Sequence, residues 1–387
     1  MASVIVTKGQ KNTFSDFAKI SVKLTKAAEV AVKEVLAIKK DEKVLIITNP
    51  VRDVFNISQA LYDAVIDAGA YPTLVVQPKK TQLDFAEPAT IKAIESKPDV
   101  IISISAEKLG KDESALKTPI IVKDKEGKTK KYDHIFTYFL NEKQIRAFWS
   151  PSISAKMFAE TVPIDYKELR QNCEKLQKHL DDASEVRIQT EKGCDITICI
   201  AGRKAKCDDG NFTEPGKGGN LPAGEVFISP EVGKSHGTIV FDGSISLSEG
   251  EVVLENPIKC KVENGYITEI TGGPEARKLK ETLEIAREKP MLLLREGKIS
   301  KETAEEYAKN TYHLGELGIG LNKSAKIVGN MLEDEKVYRT CHIAIGANYD
   351  EDANALIHLD GLIKSPTITV KYPDESVKKI MENGELL

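Results

Sequence analysis

The hydrophobic period of this chain changes near residue 184, and that change limits the folds open to it more than any other feature. Before it, short apolar runs, Lys43 to Thr48 (KVLIIT), Thr73 to Val76 (TLVV) and Val100 to Ser105 (VIISIS), alternate with stretches of helical spacing. That is the βαβ pattern of a mostly parallel sheet. Between the first two runs, Ile57 to Ala68 spaces its apolar residues as a helix does, and Gly69 is a stop signal. Val162 to Leu180 reads as another helix, with Pro163 near its start, and it closes a first domain, residues 1–183. From about Ser184 apolar and polar residues alternate, first in Glu185 to Gln189 and Asp195 to Ile200, then around Val226, Ile239, Val253 and Ile267. Asn264-Gly265 sits between two such segments and predicts a tight antiparallel hairpin. A helical pair, Ala276 to Glu288 and Lys301 to Tyr312, precedes the last strands. The pattern predicts an α/β protein: an N-terminal domain with a mostly parallel sheet, then a strand-rich α+β catalytic domain, residues 184–387.

A chain of 387 residues exceeds the size at which one core stops growing, which agrees with two domains. Its net charge of -4, with no concentrated block of Lys and Arg, leaves no electrostatic footprint for nucleic acid or an anionic membrane. Met1 to Asn12 carries two lysines and no apolar core, so no secretory signal is expected, and no apolar run reaches transmembrane length. The six cysteines form no CxxC pair, which places the protein in a reducing cytoplasm.

Chemistry concentrates in the second half. In Ile357-His358-Leu359-Asp360, the histidine and aspartate are two apart, so on a strand they share a face and can grip one ion. A surface pair has the same spelling, so other residues must supply support. His342, in Thr340 to Gly346 (TCHIAIG), shares a strand face with Thr340 and Ala344, whose small side chains leave room around the imidazole. A packed core histidine has that pattern too. Glu225 follows Leu-Pro-Ala-Gly, and Glu316 lies in His-Leu-Gly-Glu-Leu-Gly-Ile-Gly, residues 313–320; glycines beside a carboxylate permit close backbone approach, or simply a turn. Three other signals fail. Gly210 to Gly218 (GNFTEPGKG) imitates a phosphate loop but has five residues rather than four between its glycines, and Gly218 stands where Ser/Thr should follow Gly-Lys. Cys194, Cys199 and Cys207 have no paired-thiolate spacing, and His236 near Ser235 and Asp242 lacks a nucleophile elbow.

LPAGEVFISPE, LGELGIGLN, the DEK stretch leading to T-x-HIAIG, and the closing IHLD occur in one order. Together they resemble the aminopeptidase T family of two-metal metallo-aminopeptidases, and the similarity runs through most of the chain. The resemblance implies an α/β N-terminal domain before a catalytic domain holding two divalent metals (zinc, cobalt or manganese), in a homodimer that cleaves the N-terminal residue from peptides. It implies metal ligation by Glu225, Glu316, His342, His358 and Asp360, with Glu316 and Tyr349 in catalysis. Three carboxylates leave two divalent cations one surplus positive charge, which a hydroxide nucleophile would neutralise. With five ligands at least one carboxylate must bridge, and Glu225 and Glu316 are both candidates. The chain departs from the pattern at Arg339, where DEK-x-x-G-T would have glycine, and in the short stretch from His342 to His358. Another amide hydrolase, or a silent binding protein on the same fold, would carry many of the same residues.

Overall fold

The computed structural model describes residues 13–16, 19–123, 127 and 129–387; the segment Met1 to Asn12, read above for a secretory signal, lies outside them. The chain divides into two compact units, one running to Pro163 and taking back Gly210–Leu221, the other made of Ile164–Asp209 and Pro222–Leu387.

In the first unit five parallel strands lie in the order Gly218–Asn220, Arg146–Pro151, Val100–Ser105, Lys43–Thr48, Tyr71–Val76. Two of the apolar runs, Lys43–Thr48 and Val100–Ser105, are central strands buried on both faces, as a parallel sheet between helices requires, while Thr73–Val76 lies in the edge strand Tyr71–Val76 and is only partly buried. Leu45, Ile47, Ile101 and Ala147 pack against Ile94, Phe139, Leu140 and Ile145 to form its core. Arg146 is the buried exception; its guanidinium grips both oxygens of Glu42 at 2.9 and 2.6 Å and donates to the Leu36 carbonyl. The helix after the first strand runs Arg52–Asp67, and Gly69, at φ 81°, ends it in the left-handed region. The segment rejected above as a phosphate loop is the one that returns here: Gly218–Asn220 adds the edge strand, and the Ser150 hydroxyl donates to the Leu221 carbonyl.

The second unit carries two antiparallel sheets, as the period of two predicts. One has eight strands, including the hairpin of Ile258–Glu263 and Tyr266–Gly272, whose turn residues Asn264 and Gly265 both have positive φ. The helix expected to close the first domain begins later, at Tyr166, because the Asp165 side chain caps it by accepting from the Glu168 amide; it ends at Asp182 and packs within the second unit. No helix among the described residues is long and apolar enough to cross a membrane.

His313, at the start of the Glu316 strand, is fully buried with its ring 5.3 Å from that of Tyr266. Burial pushes its pKa down to about 4, with Arg203 and Lys309 reinforcing and Asp352 opposing. An unfolded chain takes up a proton near the ordinary 6.5 that the folded chain refuses until about 4. Stability is therefore expected to fall as pH drops through that window, by at most roughly 3 kcal/mol from this residue. His313→Asn should flatten the difference in melting temperature between pH 6.5 and pH 4; an unchanged slope would remove His313 as its source.

Candidate metal centre

The second sheet of this unit has seven strands, in the order Gly250–Val253, Ser244–Leu247, His358–Lys364, Thr340–Gly346, Leu314–Gly320, Glu225–Ile228, Lys206–Asp208. Each residue singled out as a ligand lies on one of four adjacent strands. Register brings them together: Glu316 and Asp360 both stand opposite Ala344, from either side. Gly318 stands opposite His342, Gly346 opposite His358, and Gly320 opposite Glu225. Because directly paired residues share a face and so do residues two apart, all five side chains rise from the same face. Only glycine and alanine stand between them in the register, so no larger side chain separates them.

Gly318 shows why the glycines are there. A Cβ on it would sit 2.0 Å from Nε2 of His342, whose imidazole lies flat over the neighbouring strand. Gly318→Ala is therefore expected to push His342 aside, with a stability loss of about 1–3 kcal/mol from overpacking and weaker metal uptake. A normal melting temperature with normal metal content would contradict this.

The side chains meet in two groups, Glu225 with Glu316 and His342, and Glu316 with His358 and Asp360; within each, one ligand atom per residue lies within 4.8 Å of the others. Glu316 belongs to both. Its Oε1 accepts from His342 Nε2 at 3.0 Å, and its Oε2 lies 3.9 Å from His358 Nε2, so its two oxygens address different groups. The buried oxygens Glu225 Oε2, Glu316 Oε2 and Asp360 Oδ1 have no hydrogen-bond partner. Their nearest cationic neighbours are the imidazoles, His342 at 3.4 Å from Glu225 Oε2 and His358 at 3.9 Å from Glu316 Oε2 and 3.4 Å from Asp360 Oδ1. Burying such atoms without hydrogen bonds is costly, and three carboxylate oxygens converging with two imidazoles form a donor set that suits divalent cations. His358 is also oriented as ligating histidines are: its Nδ1 donates to the Ala347 carbonyl at 2.9 Å, which directs Nε2 toward Asp360, 3.4 Å away, and Glu316.

The electrostatics of the cluster favour positive charge. Burial opposes charging His342 and His358, yet neighbouring carboxylates overcome it and raise them to about 9 and about 10. Burial acts to raise Asp360 too, but His358 beside it holds it well below the usual carboxylate range. Burial dominates at Glu225 and drives its carboxyl up.

Tyr349 lies beyond the His342 strand, half exposed, with its ring 5.1 Å from that of His358 and 5.4 Å from that of Phe227. The surrounding protein, then Glu316 and Asp360, push its phenol pKa upward, so it stays protonated and able to donate. Arg339 has φ 71°, the left-handed conformation for which glycine is the natural residue; the backbone there keeps the turn despite the substitution.

Three neighbours were not legible beforehand. Lys336 is fully buried, 2.5 Å from Glu225 Oε1, 2.7 Å from Glu335 Oε1 and 3.3 Å from Asp208 Oδ2. Asp208 is paired directly with Glu225 across the sheet edge. Lys336 and Glu335 stand within the DEK stretch, but nothing in its charged spelling distinguishes a buried ion cluster from a solvated face.

Residues 152–348 match the model of the family described as NicX: 2,5-dihydroxypyridine 5,6-dioxygenase. A 2,5-dihydroxypyridine 5,6-dioxygenase from Pseudomonas putida is 31% identical over 103 residues, a match spanning 26% of this chain and only 29% of that relative's length. The solved structure of 2,5-dihydroxypyridine dioxygenase from Pseudomonas putida KT2440 is similar at a TM-score of 0.68 and 16% identity, covering 94% of this chain and 96% of that one. Wild-type AmpT from Thermus thermophilus is similar at 0.62 and 18%, covering 94% and 99%. Both structural likenesses establish the fold. The motif resemblance to aminopeptidase T thus holds at the level of fold, whereas the family model is named for a dioxygenase.

Proposed function

The chain belongs to the family described as 2,5-dihydroxypyridine 5,6-dioxygenase, whose model matches just over half of it, and from that premise we propose that it is a metalloenzyme using this fold for two-metal hydrolysis of amide bonds, as an aminopeptidase. The observation that carries this reading is the shared position of Glu316. A carboxylate whose two oxygens address two separate ligand groups suits a bridged pair of cations. An oxygenase iron is typically held by two histidines and one carboxylate, whereas each group here has one histidine and two carboxylates.

Glu225, Glu316 and His342 would hold one cation, and Glu316, His358 and Asp360 the other. Zinc, cobalt or manganese in these places would supply Lewis acidity and make water acidic enough to attack a carbonyl near neutral pH. The protein's own share is positional: Ala347 fixes the tautomer of His358, and the sheet register fixes the carboxylates. Tyr349 donates its phenol to the carbonyl oxygen of the scissile bond as negative charge gathers there. The substrates are peptides with a free N-terminus, and the enzyme works as a homodimer, a state that light scattering checks directly.

The second reading, ring-opening of a dihydroxypyridine by dioxygen, is favoured by the family description. One pair of assays separates the two. Metal-stripped protein reloaded with Zn2+, Co2+ or Mn2+ should release the N-terminal residue of a free peptide and leave its acetylated form intact. Protein loaded with Fe2+ should consume no oxygen with 2,5-dihydroxypyridine. Oxygen uptake without peptide cleavage would replace the hydrolytic reading with the oxidative one, and equal turnover of acetylated and free peptides would point to a general amide hydrolase.

A further inference from the structure

We propose that Lys336 makes the two cation positions unequal, so that the Glu316/His358/Asp360 group fills first and tightly while the Glu225/Glu316/His342 group is the weaker, exchangeable one. This rests on the two-metal reading above and adds the order of loading.

Lys336 has no exposed surface, and its ammonium is within ion-pair distance of Glu225, Glu335 and Asp208. The 2.5 Å contact commits Glu225 Oε1, leaving only Oε2 for a metal. A cation seated on Oε2 would share one carboxylate with a fixed positive charge, in surroundings where charges a few ångströms apart interact strongly. Among the described residues no lysine forms an ion pair with the other group, and Lys336 acts on Asp360 only from beyond ion-pair distance: the cation paired with Asp360 is the imidazole of His358, which gives up its proton on ligation.

The imidazoles point the same way for an independent reason. His358 is held by its Nδ1 donation to Ala347, whereas Nδ1 of His342 is buried without a hydrogen-bond partner. An outer partner of that kind typically changes metal affinity by about 10–100-fold. Both the charge and the orientation therefore favour the same group.

The test is titration of metal-free protein with Mn2+ by calorimetry, followed by electron paramagnetic resonance of the loaded species. The wild-type protein should bind in two steps whose dissociation constants differ by at least about a hundredfold. The resonance of an isolated ion should come first and that of a coupled pair only at high Mn2+. Lys336→Met should tighten the second step, and Lys336→Arg, which keeps the charge, should leave it weak. Because Lys336→Met strands the buried carboxylates of Glu225 and Asp208, and the part-buried one of Glu335, and could prevent folding, Glu225→Gln gives a separate reading: it should abolish the second step and leave the first unchanged. Two equal steps in the wild-type protein, or loss of the tight step in Glu225→Gln, would overturn the inference while leaving the two-metal reading intact. Absence of any Mn2+ binding would overturn both.

Discussion

Glu316→Gln is expected to disable both halves of the centre at once while leaving the fold standing. The amide keeps the volume of the carboxyl, so the fully buried strand Leu314–Gly320 still packs. It removes the charge on which both ligand groups depend, and it turns one of the two metal-facing oxygens into an NH2. Metal content should drop at both positions, and turnover should fall by more than about a hundredfold, beyond the usual reach of groups that only support a ligand. Glu225→Gln provides the contrast, because Glu225 belongs to one group alone. Metal analysis and kcat on the same preparation decide the matter; loss of one metal only, with the other retained at wild-type affinity, would show that Glu316 does not bridge.

Tyr349→Phe should be nearly as damaging to turnover while leaving metal content untouched. The substitution deletes one hydroxyl and preserves the ring contacts with His358 and Phe227 and the Lys206 ammonium 5.5 Å above the ring. If the phenol stabilises the oxyanion, kcat and kcat/KM should fall together by roughly a hundredfold to a thousandfold, the measured range for a single oxyanion donor. If Tyr349 only packs, melting temperature shifts slightly and kcat stays at the wild-type value, which would refute its catalytic role.

The fold was legible because its two halves obey different periods. Contiguous apolar runs marked the parallel strands Lys43–Thr48 and Val100–Ser105 to the residue, and alternation marked the antiparallel ones. The site was legible only in part. His358 and Asp360 are neighbours on one strand, so their shared face is written in the spacing. Glu225, Glu316 and His342 come from three strands, and what joins them is register, which depends on pairing between distant segments. Nor does the chain spell out that Lys336 is buried. A count of three carboxylates omitted Asp208 and Glu335 and the ammonium between them, so the charge balance drawn from sequence took in the proposed ligands but not their surroundings. Gly318 was read as permitting close approach, and what approaches is the ring of His342 itself.

The return of Gly210–Leu221 to the first unit has a consequence for the order in which the protein can be made. A ribosome delivers the strand Arg146–Pro151 long before Gly218–Asn220, its edge partner. Until residue 221 has emerged, the sheet ends in a strand with one row of backbone groups unpaired, a template for pairing with other chains. Cutting the gene at residue 163 would make that transient state permanent. A fragment meant to represent the first unit should therefore aggregate unless the twelve returning residues are supplied, either grafted through a short linker after residue 163 or added as a peptide. Nascent chains stalled just before residue 218 should be more sensitive to protease in Arg146–Pro151 than chains stalled far enough beyond residue 221 to clear the exit tunnel.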